Sequence, residues 1–222
     1  MNIFDIIGPV MIGPSSSHTA GAVRIGRIAH LLMDEKVTKA EITLFGSFAK
    51  TYKGHGTDKA LVAGIMGMQP DDERIRESIH LAEEEGVELS FVESDGSCPH
   101  PNTATITLTG EKGKKVTITG ASVGGGNILV SEIDGMEVAI NGQSDTLIVV
   151  HQDVPGIVGK VAEFLGNCGI NVCNMALSRE KKGGRAILCI SIDGHSDLDL
   201  TTYINHFVGV TNCIMLLANN GR

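Results

Sequence analysis

The chain has few aromatic residues. It also lacks the sequence patterns of disulfide-rich, metal-binding, nucleic-acid-binding and membrane proteins. Its 222 residues include no tryptophan and only 4% aromatic residues. The five cysteines form no C-x-x-C pair, which argues against a disulfide framework and against a thiolate cage for a metal in this chain. There is no lysine- or arginine-rich block and no apolar run of bilayer length, and the net charge is −8. Nucleic acid and membrane are therefore not expected as partners.

What is present predicts a globular protein with two modest domains. Hydrophobic residues make up 42% of the chain, which also has 28 glycines. The start Met1-Asn2-Ile3-Phe4-Asp5 lacks the basic residues of a signal peptide, so a cytoplasmic location is expected. Four cysteines lie in apolar segments and are expected to be small buried side chains: Cys168, Cys173, Cys189 and Cys213.

The segment Gly13–Gly21 (GPSSSHTAG) places three hydroxyls and a histidine where a helix is predicted to begin. Apolar residues recur after it at helical spacing, which predicts a helix to about Asp34-Glu35 with Ser16 or Ser17 as its N-cap. A helix N-terminus favours a carboxylate or phosphate and disfavours an imidazolium. His18 is therefore predicted to be neutral and available as a base. The alternative is an ordinary capped helix with a solvated histidine.

Two loops also carry histidines. Pro99 and Pro101 restrict the backbone around His100 and hold its imidazole in place, which suits a catalytic or binding group; a stiff surface turn is the alternative. In Lys53–Asp58, His55 lies between glycines at a predicted helix start with Thr57 or Asp58 as cap, but the pattern favours a flexible loop with a capping aspartate. The glycine run 124–126 could let the backbone approach a ligand, but it lacks the spacing of a phosphate-binding loop.

The predicted elements indicate an α+β protein that divides near Asn141–Asp145, a run of turn-forming residues. In the first domain, helices are predicted at Thr57–Gly67 and Asp71–Glu85, and strands at Glu41–Phe45, Glu88–Glu93, Ala104–Thr109, Lys115–Thr119 and Glu137–Ile140. After the division, the predicted elements are the strand Thr146–His151, the helix Ile157–Asn167, the strands Ile170–Leu177 and Ala186–Ile192, the helix Asp197–Phe207 and the strand Thr211–Leu217. This order, βαββαβ, is that of the ferredoxin-like unit.

The second domain, expected at residues 146–218, resembles the ACT domain. The resemblance rests on the element order, on the turn DVPGIVG at 153–159 and on GINV at 169–172. It implies self-association and an effector site near Asp153, Gly156 and Asn171. Alternatively, these residues serve only to form the turn, and the domain serves only for docking and binds no effector.

The whole chain resembles the β chain of the bacterial iron–sulfur L-serine dehydratases, with residues 1–143 as the β-type domain. The motifs that carry the resemblance are GPSSSHT at 13–19, GSFAKT at 46–51, GHGTD at 54–58, PHPN at 99–102 and GGG at 124–126. The family converts L-serine to pyruvate and ammonia, and its separate α chain carries a [4Fe–4S] cluster. The region is also similar to the allosteric substrate-binding domain of some phosphoglycerate dehydrogenases, so a purely regulatory amino-acid-binding subunit is the alternative.

The resemblance implies roles for particular residues, and no metal ligand in this chain. His18 and His100 are expected to be catalytic. The residues expected to bind substrate are Ser15, Ser16, Ser17, Thr19 and Asn102, with His55, Thr57 and Asp58 as possible supporting residues. A hydrolase built on Ser17 and His18 is disfavoured, since adjacent helical residues do not face each other and no third member is evident.

Overall fold

The computed structural model describes residues 15–193 and 198–218. Contacts divide the chain into two units, the first running to Asp134 and the second spanning Gly135–Ala218. Both units combine helices with a β-sheet, so the predicted α+β class is confirmed. The domain bounds 1–143 and 146–218 stay predictions.

The first helix that the structure describes in the first unit changes its pitch. A π-helical turn, Ser16–Gly21, continues directly into α1, which ends where Asp34 takes a left-handed conformation with φ 52°. The α-helices of this unit are α1 (Ala22–Met33), α2 (Gly46–His55), α3 (Thr57–Ile65) and α4 (Ser78–Glu84), and a 3₁₀ segment (Glu73–Glu77) precedes α4. The predicted helix at 71–85 is therefore shorter and divided in two.

The strands of the first unit form a mixed sheet. They are β1 (Val37–Phe45), β2 (Glu88–Ser94), β3 (Thr103–Gly110), β4 (Lys115–Gly124) and β5 (Asn127–Ile133), in the spatial order β2-β1-β3-β4-β5. The β1–β2 pair is parallel, because helices α2 to α4 form the crossover between these strands, and the other pairs are antiparallel. Helix α2 and strand β5 are absent from the sequence prediction.

The core of the first unit lies where α1 and α3 pack together and α1 packs on the sheet. Ile25 and Ile28 of α1 and Leu61 of α3 are fully buried. The helices touch at Gly26 and Gly64, where a Cβ on Gly64 would lie 2.1 Å from the Val23 carbonyl oxygen. This close approach fixes α1, and with it the helix start that carries His18.

The second unit comprises β6 (Met136–Ile140) and a four-stranded antiparallel sheet with two helices. Its other elements are β7 (Asp145–Gln152), α5 (Ile157–Asn167), β8 (Val172–Arg179), β9 (Arg185–Ile192), α6 (Leu200–Asn205) and β10 (Val210–Leu216). The sheet order is β10-β7-β9-β8. Leu147, Val161, Leu188 and Leu200 belong to one apolar core shared by the helices and the sheet.

Candidate functional site

Ser15 organises the helix start that the sequence singles out. It takes an extended conformation, and its Oγ accepts a hydrogen bond from the His18 backbone N–H at 3.2 Å. Its carbonyl oxygen accepts from the Thr19 N–H at 2.9 Å. The N-cap is therefore Ser15, not Ser16 or Ser17 as predicted, because all three serines can cap a helix and only the backbone path decides between them.

The imidazole of His18 lies in a nearly closed pocket of α2 side chains and hydroxyl groups. The residue is 9% exposed. Ser15 Oγ lies 3.3 Å from His18 Nδ1, and Thr51 Oγ1 lies 3.2 Å from His18 Nε2. The ring meets the Phe48 ring edge to face at 5.3 Å and the His55 ring at 4.8 Å between centroids. Both ring nitrogens thus have partners, and the ring orientation is fixed.

The surroundings of His18 favour its uncharged form. Burial lowers the pKa of His18 below its ordinary value, and the charge of nearby His55 lowers this pKa further. The prediction of a neutral imidazole thus agrees with the direction of this pKa shift. A neutral imidazole has a lone pair, so His18 can act as a base near neutral pH.

The loop that carries His100 is held by hydrogen bonds as well as by its prolines. His100 is half-buried, and its Nδ1 accepts from the Asn102 backbone N–H at 3.2 Å. Its carbonyl oxygen accepts from Thr103 Oγ1 at 2.6 Å and from the Cys98 thiol at 3.1 Å. With Nδ1 occupied as an acceptor, the neutral ring carries its hydrogen on Nε2.

The His100 loop is joined to the start of α2. The Pro101 carbonyl oxygen accepts from the Ser47 N–H at 2.6 Å and from the Phe48 N–H at 3.3 Å, so it caps that helix. Gly46 has φ +55°, and a Cβ there would lie 2.6 Å from the same oxygen. Helix α2, which supplies Thr51 and His55 to the His18 pocket, is therefore anchored on the proline-rich loop.

The same loop also reaches β4 beside the His18 helix. The Ser122 N–H donates to the Asn102 carbonyl oxygen at 2.9 Å, and Asn102 Nδ2 donates to the Ser122 carbonyl oxygen at 3.4 Å. A Cβ on Gly21 would lie 2.1 Å from Ser122 Oγ. Asn102 Oδ1 and Ser122 Oγ are buried without a hydrogen-bond partner. Such orphaned polar atoms are uncommon in folded proteins and point to a missing ligand or water.

The other predicted site residues occupy varied settings. Ser16 and Ser17 are half-buried at the helix start, and Thr19 is buried in its next turn. Thr57 is fully buried with an unpartnered hydroxyl, while Asp58 accepts from the Lys59 N–H at 2.8 Å. The predicted cap by Thr57 or Asp58 is wrong: Gly56, with φ +71°, occupies the N-cap position, and Lys53–Asp58 joins two helices instead of forming a loop.

Three further residues belong to this site although the sequence did not single them out. Thr51 and Phe48 face His18 from α2, and their signal was their presence in the GSFAKT motif. Ser122 is a fully buried serine in β4, and no local pattern marks it. Its place beside Gly21 depends on the sheet.

The triglycine run forms the turn between β4 and β5. Gly124, Gly125 and Gly126 all have positive φ, which glycine adopts without strain. Arg24 Nη1 donates to the Gly126 carbonyl oxygen at 3.1 Å. Arg24 is buried, and burial lowers its pKa to about 10. The turn is thereby tied to α1.

In the second unit, two predicted effector residues already have partners. Asp153 Oδ2 accepts from the Gly183 N–H and from Arg179 Nη1, both at 3.0 Å. These hydrogen bonds, led by the one from Gly183, lower the pKa of Asp153. Asn171 Nδ2 donates to Asp193, and Gly156 has φ +94° with open space around it at the start of α5. Their effector role stays a prediction.

The cysteines do not form a metal cage. Cys189 and Cys213 are buried, and burial raises the pKa of both thiols to about 12. Cys168 is half-buried and Cys173 is exposed on β8, so the prediction that all four are buried is wrong for these two. Within residues 15–193 and 198–218, no three histidine, cysteine, aspartate or glutamate side chains are grouped to hold a metal ion. Over the same residues, no helix is long and apolar enough to cross a membrane.

Comparisons with known proteins give the family. The model of the family described as serine dehydratase beta chain matches residues 2–133. The probable L-serine dehydratase beta chain of Bacillus subtilis is 43% identical over 95% of this chain and 96% of its own length. The L-serine dehydratase beta chain of Peptoniphilus asaccharolyticus is 36% identical over 86% of each chain. A D-3-phosphoglycerate dehydrogenase of B. subtilis is 28% identical over 78% of this chain, which matches 33% of that enzyme. This chain therefore belongs to the serine dehydratase beta chain family.

Proposed function

We propose that this chain, paired with an α chain, supplies part of the active site for the conversion of L-serine to pyruvate and ammonia. The relatives named L-serine dehydratase beta chain support the reaction and the partner. The observation that carries the proposal is His18, a buried imidazole with a lowered pKa. A hydroxyl group lies within hydrogen-bonding distance of each of its ring nitrogens. A positioned neutral imidazole is the usual general base of enzymes.

The reaction needs a base for one proton and help for one leaving group. The Cα–H bond breaks, and its electron pair forms the Cα–Cβ double bond as the Cβ–O bond breaks. Water leaves once the departing hydroxide has gained a proton, and the product is aminoacrylate. Aminoacrylate tautomerises to an imine, which water hydrolyses to pyruvate and ammonia without further catalysis. The protein must therefore hold serine and move protons.

The residues of the first unit match these needs. His18 and His100 handle protons, and the helix start with Ser15, Ser16, Ser17 and Thr19 orients the carboxylate. The orphaned Asn102 Oδ1 is an acceptor, and the substrate ammonium group is a donor that would satisfy it. His55, Thr57 and Asp58 support this arrangement at the junction of α2 and α3.

We place the [4Fe–4S] cluster of the reaction in the α chain. The cysteines of this chain do not fit a cluster, since two are buried with raised thiol pKa values and no group of metal ligands occurs among the described residues. When bound in the α chain, the cluster would supply a Lewis acid for the substrate hydroxyl. The part of this chain is to bind serine and to move protons.

The test is an anaerobic assay of pyruvate formation from L-serine with purified chains. The αβ complex should be active, whereas this chain alone, after treatment with iron and sulfide, should bind no stoichiometric cluster and form no pyruvate. Asn102→Ala in the complex should raise KM at least as much as it lowers kcat, because an amide binds substrate but is not a base. Turnover by the isolated chain with a cluster absorption band would contradict this division of roles.

A regulatory role is the second candidate, and one comparison favours it. The region shared with D-3-phosphoglycerate dehydrogenase makes up 33% of an enzyme with another named activity. In this candidate the chain binds an amino acid and contributes no catalytic group. Variants of His18 and His100 would then change the cooperativity of the complex and leave its maximal turnover intact.

For the second unit we propose the role of an ACT domain. Its βαββαβ order and the sheet order β10-β7-β9-β8 support this assignment. We expect it to self-associate and to take an effector near Asp153, Gly156 and Asn171. Sedimentation of a fragment from about Thr146 onward tests the association, and a monomer at high concentration would count against it.

A further inference from the structure

The hydroxyl of Thr51 lies where it can decide which nitrogen of His18 carries hydrogen. Thr51 stands one turn after Ser47 on α2, and its Oγ1 donates to the Ser47 carbonyl oxygen at 2.8 Å. The same Oγ1 lies 3.2 Å from His18 Nε2. A hydroxyl group has a single hydrogen, and Thr51 Oγ1 donates that hydrogen to the Ser47 carbonyl oxygen. Thr51 Oγ1 can therefore only accept from the imidazole.

Ser15 completes the assignment on the other side of the ring. A neutral imidazole has one N–H and one lone pair, so with hydrogen on Nε2 the lone pair lies on Nδ1. Ser15 Oγ, 3.3 Å from Nδ1, then donates to it while accepting from the His18 backbone N–H. All of these polar atoms are satisfied at once. The opposite tautomer would require the Thr51 hydroxyl to give up its hydrogen bond to the Ser47 carbonyl oxygen and to donate to His18 Nε2 instead.

We propose that Thr51 is a positioning residue that holds neutral His18 in the Nε2–H tautomer, with its basic lone pair on Nδ1 beside Ser15. The proposal rests on the catalytic role of His18 proposed above. It also refines the role of Ser15, whose hydrogen is engaged by Nδ1 while His18 is neutral. When Nδ1 gains a proton, the new N–H donates to Ser15 Oγ, and the Ser15 hydrogen becomes free for a substrate carboxylate.

The tautomer can be tested without enzyme activity. In nitrogen-15 NMR of the full chain with labelled histidine rings, the His18 signals are identified by their loss in His18→Gln. We expect a protonated, pyrrole-type Nε2 and an unprotonated, pyridine-type Nδ1. Thr51→Val removes the acceptor at nearly constant volume, so both nitrogens should move toward intermediate shifts. Thr51→Ser keeps the hydroxyl and should keep the wild-type pattern.

Kinetics of the αβ complex give the second readout. Thr51→Val should lower kcat about tenfold to a hundredfold with a smaller change in KM, and Thr51→Ser should restore most of the rate. The acid limb of the pH–rate profile should also move in Thr51→Val, because Thr51 contacts the ring that titrates. His55 is the other titratable group in contact with that ring, and it is unchanged in this variant. Circular dichroism of both variants checks that the chain keeps its overall helix content.

Two results would overturn the assignment: an Nδ1–H tautomer in the wild type, or an unchanged tautomer in a folded Thr51→Val chain. Failure of the proposed function looks different. In that case the tautomer and its response to Thr51→Val remain as expected, while His18→Gln leaves turnover in the complex unchanged.

Discussion

In the first unit, His18 lies at a helix start, and a hydroxyl group lies within hydrogen-bonding distance of each of its ring nitrogens. Asn102 Oδ1 and Ser122 Oγ in the same unit have no hydrogen-bond partner. In the second unit, Asp153 precedes the start of α5, but its carboxylate is already bonded to Gly183 and Arg179. Both regions have the turn and helix pattern that predicts an anion or ligand site. The second unit also has a buried polar atom without a partner, His151 Nε2, but the first combines its two such atoms with His18, a histidine whose pKa is lowered.

The comparison shows what distinguishes a site from a turn. At Asp153 the hydrogen bonds run to the turn between β8 and β9, so they stabilise the hairpin. At His18 the partners Ser15 and Thr51 fix the orientation of a neutral ring, which can still take up a proton at Nδ1 while Ser15 changes from donor to acceptor. Polar residues at a helix start become candidates for catalysis when the fold orients them and leaves them able to bind or react.

The largest expected effect is on catalysis by the first unit. His18→Ala and His100→Ala in the anaerobic αβ complex should each lower turnover about a hundredfold or more, because each removes a positioned proton-handling group. The measurement is pyruvate formation at saturating serine, with cluster content and assembly checked for each variant. His80→Ala, at an exposed histidine of α4, is the matched control and should remain near wild type. Near-normal turnover in both site variants would contradict the catalytic role of this chain and favour the regulatory role instead.

Next in size is a difference in how the two units tolerate a methyl group on a helical glycine. Gly64→Ala in α3 should destabilise the first unit by about 1–3 kcal/mol, because the new Cβ would meet backbone atoms of Val23 and Arg27. Gly166→Ala in α5 meets nothing within 4 Å and should stabilise the second unit by up to about 1 kcal/mol. Urea denaturation followed by circular dichroism measures both changes. A Gly64→Ala chain as stable as the wild type would refute the close helix contact.

A smaller effect concerns pH. The pKa of His18 is lowered by burial and then by the charge of His55, so the neutral base persists to lower pH than an ordinary histidine. His55→Gln removes the second cause, which raises this pKa and moves the acid limb of kcat/KM to higher pH. Folding disfavours the protonated ring, so the stability of the wild type also falls as pH drops below the ordinary histidine value. An acid limb that stays fixed in His55→Gln would disprove the coupling.

The smallest effect is expected at Asp153. Its pKa is lowered by the Gly183 N–H and by Arg179, so the charged form is favoured in the folded state. This contribution is present above the ordinary pKa of aspartate and is lost as pH falls through the lowered value. Asp153→Asn should therefore reduce the thermal midpoint slightly at neutral pH, and the difference from the wild type should vanish in acid. Differential scanning calorimetry across pH tests this, and a difference that grows in acid would contradict it.

Much of the fold follows from local pattern. The apolar spacing in α1 and α5 predicted both helices, and α5 has the predicted bounds Ile157–Asn167. Helix α2 was missed because Gly46, Gly54 and Gly56 are typical of loops, and its start depends on the Pro101 carbonyl oxygen from a distant loop. The cap at Ser15 was missed because three neighbouring serines have the same capping chemistry.

The sequence by itself determined which chemistry this protein can hold: a histidine at a helix start, another between two prolines, and no convincing metal cage. Tertiary structure decided how these groups are used. The packing of α2 brings Thr51 to His18 Nε2, and the sheet brings Ser122 to Asn102. Residues far apart in the chain meet only when helices and strands pack. No local pattern could therefore show that Thr51 holds His18 in one tautomer or that Asn102 Oδ1 lacks a hydrogen-bond partner.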